Sequence, residues 1–272
     1  MAYPFQSEPA DSFAVGRVFS RAFAAVSANP AAAFGIALLF GALPLTGYHY
    51  LEHSPALTAV TFGQAGLPQA FWLTFVLGLA ISVLSTVVNI VAEGAFVPLV
   101  VAQEARRPAV FADAAGPGLS ALLPLIMLGL VTAIGTMIAS IFLVIPGIIL
   151  MLRWSVAGPV LVAEQCGIDA ALGRSRALTE GARGRIFAIM LGVGAVSIAA
   201  SALVDQLAAD FYGETAFAQL FEQGFPAGYL LAKVITDTAI MVFSAAIYGA
   251  LYVELRTWKD GAPVDGLAEV FA

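Results

Sequence analysis

The sequence predicts an all-α, polytopic membrane protein in which six transmembrane helices form three hairpins, with amphipathic helices lying in the membrane plane on the cytoplasmic side. Composition is the first evidence, because 60% of the 272 residues are hydrophobic and only 11% are charged. About 25% of residues are charged in a typical soluble domain. A soluble domain of this length is therefore excluded. Twelve Lys and Arg against 18 Asp and Glu also exclude a nucleic-acid partner.

Six segments are long and apolar enough to cross the hydrocarbon core of a bilayer, which takes about 20 residues of helix. They cover approximately residues 31–48, 70–103, 119–144, 147–162, 186–207 and 227–255. The sequence therefore predicts one six-span membrane domain over residues 1–259 and a short cytoplasmic tail over residues 260–272.

Basic residues set the orientation of these spans. With six spans, three loops fall on one side of the membrane, and none of them contains Lys or Arg. These loops are 48–69, 145–147 and 208–226. The segments on the opposite side carry Arg pairs and a run of four arginines. Because Lys and Arg concentrate in cytoplasmic loops, we expect both termini in the cytoplasm.

Two segments on that side show helical apolar periodicity and are expected to lie in the interface. The apolar face of segment 11–28 is predicted to be Phe13, Phe19, Phe23 and Val26. That of segment 168–185 is predicted to be Ile168, Leu172, Ser175, Leu178 and Ala182. Arginines on such helices reach anionic lipid headgroups. This predicts headgroup contacts for Arg17, Arg21, Arg174, Arg176, Arg183 and Arg185.

Several polar side chains fall within the predicted spans, where charges are costly and are usually paired or functional. Glu93 and Arg153 come at similar depths, which predicts an ion pair near the midplane. Lys233 and Asp237 share one helix face at a spacing of four residues, and Asn89 adds a polar group to the span of Glu93. Two interpretations stay open: these groups fix helix packing, or they form a binding site.

Ile145-Pro146-Gly147 interrupts the third and fourth spans and is predicted to be the turn of a tight hairpin. Whether this turn reaches the outer surface stays open. The same tripeptide begins an ordered set of motifs, continued by Arg153-Trp154, by residues 159–164 and by residues 171–178.

This ordered set resembles the membrane domain attached to some bacterial glycerophosphoryl diester phosphodiesterases, which related stand-alone membrane proteins share. The resemblance implies a multi-span protein of the bacterial inner membrane. It does not imply phosphodiesterase activity, because that chemistry belongs to a separate soluble barrel domain with metal-binding carboxylates and histidines. No segment of this sequence is long or polar enough for such a domain.

One motif keeps an enzymatic alternative open. His49, Glu52 and His53 have the H-x-x-E-H form of an inverted zinc-peptidase motif, in which two histidines hold zinc and the glutamate acts as base. The segment lies at the outer edge of a predicted span and lacks a recognisable third ligand. We therefore expect no metal and no cofactor, with an outward-facing metal-dependent hydrolase as the lesser alternative.

These observations favour a non-enzymatic membrane module that binds lipid or a partner and supports transport or envelope homeostasis. The main alternative is a small transporter with a midplane site formed by Glu93, Arg153 and Asp237. Membrane lipids and other membrane proteins are the expected partners, and the oligomeric state does not follow from the sequence.

Overall fold

The computed structural model describes residues 13–43, 47, 67–104, 120–213 and 226–261. Within these ranges the chain is helical and contains no strand. The helices are α1 (Val15–Ala28), α2 (Pro30–Ala37), α3 (Leu67–Glu104), α4 (Leu122–Phe142), α5 (Val144–Arg153), α6 (Ala157–Glu164), α7 (Ile168–Thr179), α8 (Arg183–Tyr212) and α9 (Ala227–Asp260). A π-helical turn, Leu38–Ala42, continues α2.

Five helical segments of the described chain are long and apolar enough to span a membrane, which confirms the helical membrane architecture. They are Phe75–Glu104, Leu122–Ile141, Val144–Glu164, Arg183–Tyr212 and Ala227–Asp260. They correspond to five of the six predicted spans. The predicted first span, 31–48, is helical from Pro30 through Ala42, and its residues 44–46 and 48 lie outside the described residues. The sixth span and the three-hairpin arrangement stay predictions.

The core lies where α3 and α9 pack side by side in the same direction. Gly249 of α9 lies against α3, since a Cβ at this position would come within 3.1 Å of Cγ2 of Val100. Nearer the helix ends, Arg21 of α1 binds both Glu104 of α3 and Glu254 of α9. These two contacts fix the register between α3 and α9. Each residue of α3 lies at the same height as the residue of α9 whose number is roughly 150 higher.

The reversal between α4 and α5 occurs at Leu143, the single extended residue between the two helices (φ −165°, ψ 143°). The predicted turn at Ile145-Pro146-Gly147 is therefore wrong. Pro146 lies in the first turn of α5, where a helix needs no backbone N–H donor. Gly147 lets α5 approach α4, because a Cβ at this position would come within 3.0 Å of Cβ of Ser140.

The fourth span is broken at Trp154–Val156, between α5 and α6. Ser175 of α7 satisfies the backbone groups freed there. Its hydroxyl donates to the carbonyl of Arg153 at 2.9 Å and accepts the N–H of Val156 at 3.3 Å. The break is therefore held by side-chain hydrogen bonds from the neighbouring helix.

The two amphipathic helices each bury one face against the rest of the protein. On α7 and the turn that follows it, Ser175, Leu178 and Ala182 of the predicted apolar face are buried against the protein. On α1, Phe19 and Phe23 of the predicted apolar face are 44% and 65% exposed, which leaves them available to the membrane, and their contact with the interface stays a prediction. Small and branched side chains face the protein instead, because they allow close packing of α1 on α9; the buried residues of α1 are Val18, Ala22, Ala25 and Val26.

Candidate functional site

A cavity of about 900 Å³ lies among α3, α4, α5, α8 and α9 at membrane depth. It exists because α8 packs sparsely on the other helices. Only three residues of this 30-residue helix are buried, Ile186, Ile189 and Ala208. The remaining surface of α8 faces either the surroundings or the cavity.

Two columns of polar side chains line the cavity. On α3 the column is Ser85, Asn89 and Glu93, which follow one another at intervals of four residues and so share one helix face. On α9 the column is Lys233, Asp237, Ser244 and Tyr248. Two carboxylates and one ammonium group therefore line a cavity between helices that are otherwise strongly apolar.

The register of α3 and α9 gives the relative depths of these charges. Glu93 lies 11 residues before Glu104, about 16 Å along the helix, and is level with approximately residue 243 of α9. Measured along the helix axis from the level of Glu93, Asp237 lies roughly 9 Å farther from the Glu104 end of the bundle. Lys233 lies roughly 15 Å farther from that end than Glu93 does. Among the described residues, no ion pair joins Lys233 to Asp237. The charges are thus distributed along the cavity and are not gathered at one point.

Four of the five predicted intramembrane polar residues line this single cavity: Asn89, Glu93, Lys233 and Asp237. Arg153 does not, and the predicted ion pair of Glu93 with Arg153 is absent from the described part of the chain. The cause is local geometry at the helix break. The next residue, Trp154, lines the cavity, so the preceding side chain projects elsewhere, and its Nε is buried without a hydrogen-bond partner among the described residues.

A buried carboxylate holds helix α1 against the end of α9. Glu254 is fully buried. It accepts hydrogen bonds from Nε of Arg17 at 2.8 Å, from Nη1 of Arg21 at 2.9 Å and from the backbone N–H of Ala14 at 3.1 Å. Sequence reasoning missed this site, because nothing in the sequence near Glu254 indicates which arginines it meets 233 residues away.

A second cluster joins α6, α7 and α9 at the same end of the molecule. Arg174 binds Glu164 at 3.1 Å and also binds Asp260, and the hydroxyl of Tyr252 donates to Glu164 at 3.2 Å. Burial lowers the pKa of Arg174, but the bonds to Asp260 and Glu164 outweigh this effect and raise the pKa above its ordinary value. This cluster ties the broken fourth span to the last helix.

The six arginines predicted to contact lipid headgroups thus fall into two groups. Arg17, Arg21 and Arg174 have protein carboxylates as partners. The other three carry no such ion pair in the described structure, and headgroup contact stays a prediction for them: Arg176, Arg183 and Arg185. The guanidinium of Arg185 also lies over the ring of Phe13, with its carbon 5.5 Å from the ring centroid.

The zinc motif of His49, Glu52 and His53 lies outside the described residues. Within the described ranges, no group of three or more His, Cys, Asp or Glu side chains could hold a metal ion. Comparison with protein-family models, with curated proteins and with solved structures finds no match to this chain. The cavity between the spanning helices is the candidate functional site.

Proposed function

We propose that this chain is a non-enzymatic membrane carrier that binds a small molecule in the cavity between α3, α8 and α9. The observation that supports it is the convergence of Asn89, Glu93, Lys233 and Asp237 on one cavity at membrane depth. Charged groups within a membrane carry a free-energy cost, so they are usually kept for binding or transport. The cavity volume of about 900 Å³ also lies in the range of small-molecule sites.

The loose packing of α8 supports a carrier function for the cavity over a purely structural role. A helix with few buried residues can shift at little cost and so change access to a cavity that it borders. Charges that served only helix packing would pair with one another. Glu93 and Lys233 instead form no ion pair in the part of the chain that the structure describes.

The bacterial inner membrane is the proposed location. The resemblance to the membrane domain of glycerophosphoryl diester phosphodiesterases supports it, without that family's catalytic reaction. The arginines of α1 and α7 lie at the same end of the molecule as Glu104 and Asp260. By the positive-inside rule this end is proposed to face the cytoplasm, with membrane lipids as surrounding partners.

Native mass spectrometry of the protein extracted in lipid discs tests the proposal. Gly194 lines the cavity, and a Cβ there would meet no atom within 4 Å, so Gly194→Leu extends a side chain into the cavity. Gly192 lies two residues away on α8, is exposed and does not line the cavity, and a Cβ there would also meet no atom. Gly192→Leu is therefore the matched control.

A bound molecule that is retained by the wild type and by Gly192→Leu, and lost from Gly194→Leu, is the expected result. A wild-type protein that carries only bulk membrane lipid, equally in both variants, would contradict a binding role for the cavity.

A further inference from the structure

We infer that the Glu93 end of the cavity binds a monovalent lipophilic organic cation in exchange for a proton. This inference rests on the proposed function, because it names the ligand class and the coupling of the same cavity.

The first argument is that much of the polar cavity wall presents hydrogen-bond acceptors. Five lining hydroxyl groups direct their hydrogen atoms into backbone carbonyls three or four residues earlier in the chain, at 2.7–3.0 Å: Thr86, Thr132, Thr136, Ser155 and Ser197. The amide of Asn89 likewise donates to the carbonyl of Ser85 at 2.8 Å. Oxygen lone pairs are left facing the cavity, and such a surface suits a positively charged ligand.

The second argument is the isolation of Glu93. No Lys or Arg of the described chain forms an ion pair with it. The ammonium group of Lys233 is at the other end of the cavity, roughly 15 Å farther along the register. A carboxylate at this depth without a counter-ion carries a large desolvation cost. In the empty site Glu93 is therefore more stable as a neutral carboxylic acid. Its charged form becomes the more stable one once a cation lies beside it.

Aromatic and aliphatic lining residues define what kind of cation fits. Trp154, Phe187 and Tyr248 border the cavity together with Met151 of α5 and aliphatic side chains of α8. Aromatic faces attract organic cations, most strongly where water is excluded. A small hydrated metal ion would gain nothing from these surfaces, whereas an organic cation with apolar substituents would bury them.

The exchange balances in charge. The O–H bond of Glu93 breaks, the proton leaves to water through the cavity, and the cation takes the place of the proton as the partner of the carboxylate. The net charge of the site is the same before and after. The ligand gains access only by displacing the proton, so a proton gradient would be coupled to movement of the cation.

The other ionisable groups that face Glu93 come from α9. Tyr248 lies within electrostatic range, and Asp237 and Lys233 lie farther along the same cavity. Helices α4, α5 and α8 contribute no charged side chain to the lining. The charged groups of α1 and α6 lie at the cytoplasmic-side end, near the level of Glu104. Titration in the cavity is therefore assigned to Glu93, with Asp237 as the second carboxylate to be tested.

The test uses tetraphenylphosphonium, a permanent cation that carries no proton of its own. Its binding to the purified full-length protein is measured by calorimetry in two buffers of different ionisation enthalpy, which gives the number of protons released. We expect about one proton released per cation bound, and an affinity that rises about tenfold per pH unit while the empty site is protonated. Because this proton count is made on the wild type, it does not depend on whether a variant folds.

Three variants assign the proton. Glu93→Gln should abolish proton release and the pH dependence, whereas Glu93→Asp should restore both. Asp205→Asn is the control, because Asp205 lies on the spanning helix α8, accepts a hydrogen bond from Tyr229 at 2.9 Å and does not line the cavity. Asp237→Asn should weaken binding but leave the proton count unchanged.

Binding without proton release would overturn the exchange, and unchanged release from folded Glu93→Gln would overturn the assignment to Glu93. If tetraphenylphosphonium does not bind, while another molecule is lost from Gly194→Leu in the mass spectra, the cation inference fails and the carrier proposal stands. If neither is bound, both fail.

Discussion

Substitution of Glu254 by Gln should release helix α1 from the end of α9. The carboxylate accepts three hydrogen bonds in a fully buried position, two of them from the guanidinium groups of Arg17 and Arg21. A carboxamide has one acceptor oxygen and places N–H donors against the donors that remain. The substitution therefore leaves both a weakened acceptor and unpaired positive charge.

The magnitude follows from the burial of each partner. Removing one member of a buried ion pair costs about 3–5 kcal/mol. The lower end applies to Glu254, because the side chain of Arg17 is 42% exposed and can be hydrated, and because Arg21 keeps its second partner, Glu104, at 3.0 Å. We expect a loss of about 3 kcal/mol in the free energy of unfolding.

Two measurements check this prediction. Reversible unfolding in a denaturing detergent gives the free-energy loss, and hydrogen exchange should become faster in Val15–Ala28 with little change in α8. Glu180→Gln is the control, because Glu180 is exposed at the end of α7. The reasoning would be refuted by a Glu254→Gln protein as stable as the control, with unchanged exchange in α1.

Two further predictions concern other positions. Gly147→Ala should destabilise the protein by about 1–3 kcal/mol, because the new Cβ would come within 3.0 Å of Cβ of Ser140. Adding Ser140→Gly should recover most of that loss. An unchanged free energy of unfolding in detergent would contradict the prediction. Cys166 should react slowly with a maleimide at pH 8, because burial and the nearby Glu164 carboxylate raise the pKa of its thiol. Glu164→Gln should lower that pKa and speed labelling several-fold, and an unchanged rate would contradict the assignment.

Much of the fold follows from hydrophobic length. Five of the predicted spans correspond to helices of the structure because an apolar run of about 20 residues leaves few alternatives to a spanning helix. The polar columns follow from helical spacing, since Asn89 and Glu93 on α3, and Lys233 and Asp237 on α9, are each four residues apart. Spacing alone could not show that both faces line the same cavity, because this depends on how α3 and α9 pack.

The predicted pairing of Glu93 with Arg153 failed because depth and hydrophobicity do not determine local geometry. The helix break that follows Arg153 changes which side chains face the cavity, so Trp154 lines it and Arg153 does not. Hydrophobicity also does not show which face of α1 packs on the protein, since Phe19 and Phe23 are exposed whereas Ala22 and Ala25 are buried. In a membrane protein, large apolar side chains can face lipid, whereas small ones allow helices to pack closely.

The central claim is that a polar cavity lies at membrane depth beside α8, and the accessibility of a spin label tests it most directly. Nitroxides are attached in turn at Gly194→Cys and Gly192→Cys, in a background in which the single native cysteine, Cys166, is replaced by Ser. Collision rates are then measured in lipid discs with a water-soluble nickel complex and with oxygen, which partitions into lipid.

We expect the label at position 194 to collide more with the nickel complex, and the label at position 192 to collide more with oxygen. The reason is that residue 194 borders the polar cavity, whereas residue 192, on the same helix, is exposed outside it. Equal, lipid-like accessibility at both positions would contradict the account.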